Sequence, residues 1–367
     1  MLDQESLIFE SRTGNCAPAM PRLAGRAARE GVHDAWPSCI ARAVIPAGAR
    51  RFGLGLAALG RPGYITVEHA RDLAGNYEPD AMERNTHSAL DAAYAAGVRY
   101  FDAARSYGQA EDFLASWLAA RGIAPGAVVV ASKWGYTYTA GWRVDAERHE
   151  VKDHSLATLR RQLAETRTRL GAHLSVYQIH SATLESGVLD DDAVIDELAR
   201  LKPTGLRIGL TLTGASQSDV LQRALRVRRD GERVFDSVQA TWNLLERSAE
   251  SALEEAHGTG MRVIVKEALA NGRLTERNAS EAFASRLGLL WDEAKQLDTS
   301  ADALVLAAAL ARPWADVVLS GAATAEQLRS NLRAVDVPWT AETEGRLQPL
   351  TMASGEYWRE RSSLQWN

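Results

Sequence analysis

Cysteine is nearly absent. The 367-residue chain carries two, Cys16 and Cys39, too few for a disulfide framework or a thiolate metal cluster. No metal is expected, and the count fits a reducing compartment, so the expected residence is cytoplasmic. A basic excess is missing as well: the net charge of -5 argues against nucleic acid or an anionic membrane as the main partner. No apolar run approaches the roughly 18 residues of a transmembrane helix. Lysine is scarce too. Of 42 cationic side chains only five are Lys, and a compact ammonium with a shiftable pKa in an Arg-dominated chain is worth tracing. Lys133 and Lys266 each close an apolar, strand-like run.

Residues 1–45 lack a sustained apolar period and scatter Gly14, Pro18, Pro21, Gly25, Gly31 and Pro37 among charges. They hold no apolar signal core, and Asp3, Glu5 and Glu10 are foreign to a transit peptide. This stretch reads as a partly flexible N-terminal extension. From residue 46 onward the sequence is that of an ordinary globular protein, in a chain that is 46% hydrophobic and 24% charged. Short apolar runs at 52–56, 98–102, 127–133, 174–180, 206–210, 235–240, 261–266 and 317–320 alternate with amphipathic stretches. Those stretches lie at 82–96, 111–121, 155–170, 192–201, 216–229, 249–257, 302–311 and 325–335. Eight strand–helix units predict an α/β fold, a (β/α)8 TIM barrel over residues 46–340, with 341–367 as a C-terminal segment.

A doubly wound nucleotide-binding sheet competes with this. Gly53-Leu54-Gly55-Leu56-Ala57-Ala58 fits the glycine pattern of such folds. The context does not fit, because Gly60, Pro62 and Gly63 break any helix after it and Arg50-Arg51 precede the run. Long loops are expected after the first, third and seventh strands, at 61–80, 134–154 and 268–299. In a barrel all three open on the C-terminal face, where barrel active sites sit. The aromatics in them (Tyr64, Tyr77, Trp134, Tyr136, Tyr138, Trp142) suggest a roof over a flat organic substrate.

The strand ends present chemistry. The second run ends in Asp102, with Tyr107 five residues on; the third ends in Lys133 and the fourth in His180. A carboxylate, a phenol, an ammonium and an imidazole are thus expected to converge on one mouth from three neighbouring strands.

Tyr100-Phe101-Asp102-Ala103-Ala104-Arg105-Ser106-Tyr107-Gly108 resembles the motif of the aldo-keto reductase family. So do Ser132-Lys133-Trp134-Gly135 and Val176-Tyr177-Gln178-Ile179-His180. Val238-Gln239-Ala240-Thr241-Trp242-Asn243 and the segment from Leu319 to Asn331 are similar to its cofactor motifs. The resemblance implies a catalytic tetrad of Asp102, Tyr107, Lys133 and His180 for carbonyl reduction, which needs a proton for oxygen as well as a hydride for carbon. Tyr107 would be the general acid, or base in the oxidation direction. A phenol titrates near 10, and a cation beside it is expected to lower that value toward the working range. In this scheme Lys133 would supply the charge, Asp102 would hold Lys133, and His180 would orient the substrate oxygen. It implies NADPH as cofactor, with NADH as an alternative, and a small carbonyl or alcohol substrate. Its cofactor contacts would fall on Thr211, Gln239, Trp242, Lys266, Leu269, Asn271, Arg273, Ser320, Gly321, Ala323, Gln327 and Asn331. Substrate contacts would fall on Tyr64 and Trp134.

The chain also departs from the family pattern. Thr211-Leu212 replace the usual Ser-Asn pair for the carboxamide, so Gln239 is expected to carry more of that contact. Lys266 replaces the aromatic ring that stacks on the nicotinamide, so the stacking is expected either from elsewhere, with Trp242 the candidate, or not at all. Ala323 stands where many members place an Arg for the 2′-phosphate, and Arg329 is the cation left in that motif. A modest NADPH preference, within about a hundredfold, is therefore expected, and Ala323→Arg should tighten NADPH. Two other readings stay open: a Schiff-base barrel lyase using Lys266 or Lys133, and a nucleotide-sensing barrel with weak turnover.

Overall fold

The structure is a computed structural model and describes residues 49–367; the segment 1–45 lies outside the described residues. Eight parallel strands close a barrel in chain order: β1 (Phe52–Gly55), β2 (Tyr100–Asp102), β3 (Val129–Trp134), β4 (Leu174–Ala182), β5 (Arg207–Leu212), β6 (Ser237–Thr241), β7 (Arg262–Lys266) and β8 (Val317–Ser320). Closure is made by β1 against β8, with Phe52 opposite Val318 and Leu54 opposite Ser320. The eight helices that cover it are α1 (Pro79–Ala95), α2 (Ala110–Ala120), α3 (Leu156–Leu170), α4 (Asp192–Leu201), α5 (Gln217–Arg226), α6 (Glu250–Gly258), α7 (Ala301–Leu310) and α8 (Ala325–Leu332). The expected alternation is present, and the physical cause is the one the periodicity implies. Each strand is buried on both faces, against barrel interior and helices.

Local signals set the helix starts. Ser155, Asp191 and Thr324 each accept from the backbone N–H three residues on. Two glycines matter to the site. A Cβ on Gly60 would come within 2.3 Å of the Tyr107 carbonyl, and one on Gly108 (φ +59°) within 2.4 Å of the Gly60 carbonyl. That contact lets the loop after β1 lie flat on the loop bearing Tyr107, and the Gln109 N–H seals it at 2.8 Å from the Gly60 oxygen.

Three stretches differ from expectation. The region 268–299 is not all loop: Ala284–Gln296 is a helix that buries Leu287, Leu290 and Ala294, a spacing of three and four residues that marks a helix face. The third-strand loop carries a two-stranded ribbon, Tyr136–Tyr138 with Glu150–Lys152. The C-terminal segment is part of the packed body. Leu347, Leu350, Met352 and Tyr357 belong to the main hydrophobic core, and Ser354–Ser362 forms a helix. Among the described residues no helix is long and apolar enough to cross a membrane.

Candidate active site

At the C-terminal end of the barrel, β2 and β3 bring a carboxylate and an ammonium together. Lys133 Nζ lies 2.5 Å from Asp102 Oδ2 and donates to the Ala103 carbonyl at 2.9 Å. Both side chains are almost wholly buried. The second carboxylate oxygen accepts from Gln178 Nε2 at 3.2 Å and Gln239 Nε2 at 3.0 Å. Asp102 is thus held from β3, β4 and β6 at once. Lys133 Nζ also sits 4.6 Å from the centre of the Tyr107 ring, and the Tyr107 hydroxyl is 3.4 Å from His180 Nε2. The tetrad inferred from separate strand ends is one cluster.

Its electrostatics differ from the expected direction in one respect. Burial pushes the Tyr107 phenol well above its ordinary range, Asp102 adds to the rise, and Arg61 opposes it. At 2.5 Å Asp102 neutralises the Lys133 charge, so the phenol faces a dipole more than a net cation, and desolvation wins. Tyr107 is held as a protonated acid. His180 moves the other way: burial, then Lys133, Lys266 and Arg61, hold its pKa well below 6.5 and keep the ring neutral. Its Nδ1 lies 3.4 Å from the Ser106 hydroxyl.

The cluster forms one end of a cleft of about 1050 Å³. From Asp102, Tyr107, His180 and Gln239 it runs past Lys266, Leu269 and Asn271 to Ser320, Gly321, Gln327 and Asn331. Its lining could hold a dinucleotide extended from the tetrad to the start of α8. The buried Asn271 Oδ1 has no hydrogen-bond partner and stands as an acceptor for a bound group.

The Aldo/keto reductase family model matches residues 53–350. The chain belongs to that family. It is an oxidoreductase, in keeping with two curated relatives from Bacillus subtilis strain 168. The uncharacterised oxidoreductase YrpG is 27% identical over 71% of this chain and 85% of its own length. The uncharacterised oxidoreductase YqkF is 24% identical over 70% and 84%. Among solved structures, the holo form of an aldo-keto reductase from Bacillus halodurans superposes with a TM-score of 0.62 at 22% identity. That match covers 83% of this chain and 92% of the other, a likeness of fold.

Several residues that the family resemblance implied sit elsewhere. Trp242 is fully buried against Trp314 and beneath Arg312, outside the cleft, so it cannot stack on a nicotinamide. Trp134 is likewise buried, edge-on to His154, and Arg273 turns to Glu360 and the Tyr357 ring; neither lines the cleft. Ala323 is buried off the cleft, its carbonyl accepting from Asn85 and its N–H held by Gln327. Arg329 faces an outer hollow with Arg84 and Arg121. The Gln239 amide nitrogen is committed to Asp102. Thr211 lines the cleft and accepts from the Ser181 N–H at 2.7 Å, bracing the left-handed turn after His180. Of the expected roof, Tyr64 lines the cleft, whereas Trp142 packs on Phe113 and donates to the Tyr77 carbonyl.

The tertiary structure also adds residues to the site. Arg61 stacks between Tyr64, Tyr107 and Trp366 and bonds Glu150 at 3.0 Å. Trp366 lies flat on His149 at 4.0 Å, and Asn367 bridges to the Tyr64 backbone, closing this side of the mouth. Opposite, Arg361 grips the Glu267 carboxylate with two nitrogens while Thr241 donates to it at 3.1 Å. Glu267 carries a left-handed φ of +54° right after β7, and Arg361 and Lys266 outweigh burial to hold its pKa well below the usual carboxylate range. Removing the guanidinium with Arg361→Met takes away the closest partner of that carboxylate and leaves it Lys266 and the Thr241 hydroxyl, so the expected cost is ~1.5–3 kcal/mol. The loss should be full at neutral pH and shrink as pH falls below about 4.3, where an unfolded Glu protonates. Denaturant unfolding of both proteins at pH 7 and pH 3.5 checks it.

Proposed function

We propose that this oxidoreductase interconverts an aldehyde or ketone and its alcohol, with NADPH as cofactor and NADH accepted. The observation that carries the reading is the buried Asp102–Lys133 pair set under a protonated Tyr107 whose hydroxyl is 3.4 Å from a neutral His180. When bound, the reduced nicotinamide supplies the hydride. Leu269, Asn271, Ser320, Gly321, Gln327 and Asn331 would hold the dinucleotide, since they line the cleft beyond Gln239. Tyr107 donates its proton to the substrate oxygen as negative charge builds there, and the neutral His180 Nε2 orients that oxygen from the other side. With Ser106 donating to Nδ1, Nε2 carries the ring proton. Lys133 then stabilises the phenolate left behind, its own charge balanced by Asp102. Loss of reduced-nicotinamide absorbance, with NADPH and NADH each run against aldehydes, ketones and sugars, tests the reading; no consumption with any of them would overturn it.

Lys133 is a poor Schiff-base nucleophile because its ammonium is spent on Asp102 and Ala103. Lys266, the other lysine of that reading, lines the cleft; borohydride trapping with a carbonyl compound should leave the protein mass unchanged, and a mass gain at Lys266 would favour the lyase reading over the reductase.

The cofactor choice turns on the far end of the cleft. There Gln327 donates to Asp72 at 2.6 Å, and Arg277 pairs with the same carboxylate. Arg277, rather than Arg329, is the cation placed to meet a 2′-phosphate. Asp72→Asn releases it and removes an opposing charge. NADPH should then tighten about tenfold relative to NADH, ~1.4 kcal/mol, in fluorescence titrations. Equal tightening of both cofactors would place the phosphate elsewhere.

A further inference from the structure

Three of the ion pairs around the tetrad end of the cleft balance internally: Lys133 with Asp102, Arg61 with Glu150, and Arg361 with Glu267. Lys266 is left over. Its Nζ donates to the neutral Thr241 hydroxyl at 3.1 Å, and the nearest carboxylate oxygen, on Glu267, is 3.8 Å away and already held by Arg361. An ammonium has three protons to place, and this one lines the cleft with its side chain 16% exposed. Among the described residues it is the cleft-lining cation at this end whose one carboxylate neighbour, 3.8 Å away, is shared with a second cation. His180 is held neutral and brings no charge to this corner.

We propose that Lys266 binds a carboxylate on the substrate, so that the enzyme acts on aldehyde or keto acids. The inference rests on the reductase reading above and names the substrate class of that same site. A buried cation without a counter-ion is costly; a ligand carboxylate supplies the partner, and a charge-assisted bond in a partly dry cleft is strong. A neutral carbonyl compound leaves the ammonium with the Thr241 hydroxyl and a carboxylate shared with Arg361. The carboxylate takes no part in bond making: it fixes the end of the molecule away from Tyr107.

This pairing makes binding depend on pH. The groups facing Lys266 are Glu267 at its own strand end, Thr241 on β6, Arg361 on the C-terminal helix, Lys133 on β3, Asp102 on β2 and His180 on β4. Burial outweighs the pull of Glu267 and lowers the Lys266 pKa to about 8, with Arg361 and Lys133 contributing to the fall. The ammonium is therefore present below pH 8, and acid binding weakens as pH rises through that value.

The test uses the full chain with NADPH and matched pairs: succinic semialdehyde against 4-oxobutanamide, and 4-carboxybenzaldehyde against 4-formylbenzamide. At pH 7 the acid should exceed its amide at least tenfold in kcat/KM, chiefly through KM, and the ratio should fall as pH rises from 7 to 9. Lys266→Met should bring the ratio close to one. Lys266→Arg should keep it and remove its pH dependence. A parent ratio at or below one, or a ratio unmoved by Lys266→Met, overturns the inference while leaving the reductase reading standing. An equal loss for acid and amide, with weaker NADPH binding by titration, assigns Lys266 to the cofactor and also overturns it. No turnover of any compound removes the reductase reading and this inference with it.

Discussion

Tyr107→Phe is expected to lower kcat/KM for carbonyl reduction by about 10²–10⁴-fold, the range that a placed general acid supplies. NADPH affinity should hardly change. The lost hydroxyl is the one 3.4 Å from His180 Nε2, and it serves the substrate oxygen; the ring that remains can keep its place beside Lys133, whose Nζ lies 4.6 Å from its centre. A steady-state assay with fluorescence titration of NADPH separates the two effects, and wild-type turnover by the variant would sink the mechanism. The parent should also show a level rate with a neutral substrate as pH passes 6.5. Burial and three nearby cations keep His180 uncharged there, and Tyr107 stays protonated because its pKa is raised. A steep change near 6.5 would mean that the imidazole titrates in the working range.

The second large effect concerns Lys133. Lys133→Met should abolish activity and cost ~3–5 kcal/mol of stability, because it leaves Asp102 buried with only the Gln178 and Gln239 amides for partners. Coupling this change to Asp102→Asn removes both charges, so the double variant should regain most of the stability and none of the turnover. Lys133→Arg should fail as well. The site is closed around a point charge reaching Asp102 and the Ala103 carbonyl, and a planar guanidinium overfills it. Unfolding curves and the reductase assay together check the set. An active double variant would show that the pair is structural only.

The barrel, and the gathering of Asp102, Tyr107, Lys133 and His180 at one mouth, were legible because they depend on local pattern. Apolar runs of strand length alternating with amphipathic helices predict parallel strands. Asp102, Lys133 and His180 each sit at or just before a strand end, and Tyr107 comes shortly after one, so a closed barrel must gather them at a single mouth. Even the extra helix Ala284–Gln296 had its signal, in the spacing of Leu287, Leu290 and Ala294.

Which charges meet, and which side chains reach the cleft, depends on how the closed chain packs. Glu267 and Arg361 are 94 residues apart and share no motif, yet they form the ion pair that leaves Lys266 only a shared carboxylate at 3.8 Å. Trp242 and Trp134 carry family-like neighbours in sequence, but both are swallowed by packing against Trp314 and His154. Arg277, from the stretch after β7, and Asp72, at the end of the short helix His69–Asp72, come together to face Gln327, which no motif spacing predicts. The direction of the Tyr107 shift was hidden for the same reason. A neighbouring ammonium can be named from sequence, whereas desolvation and the 2.5 Å approach of Asp102 that cancels it exist only once the chain has closed.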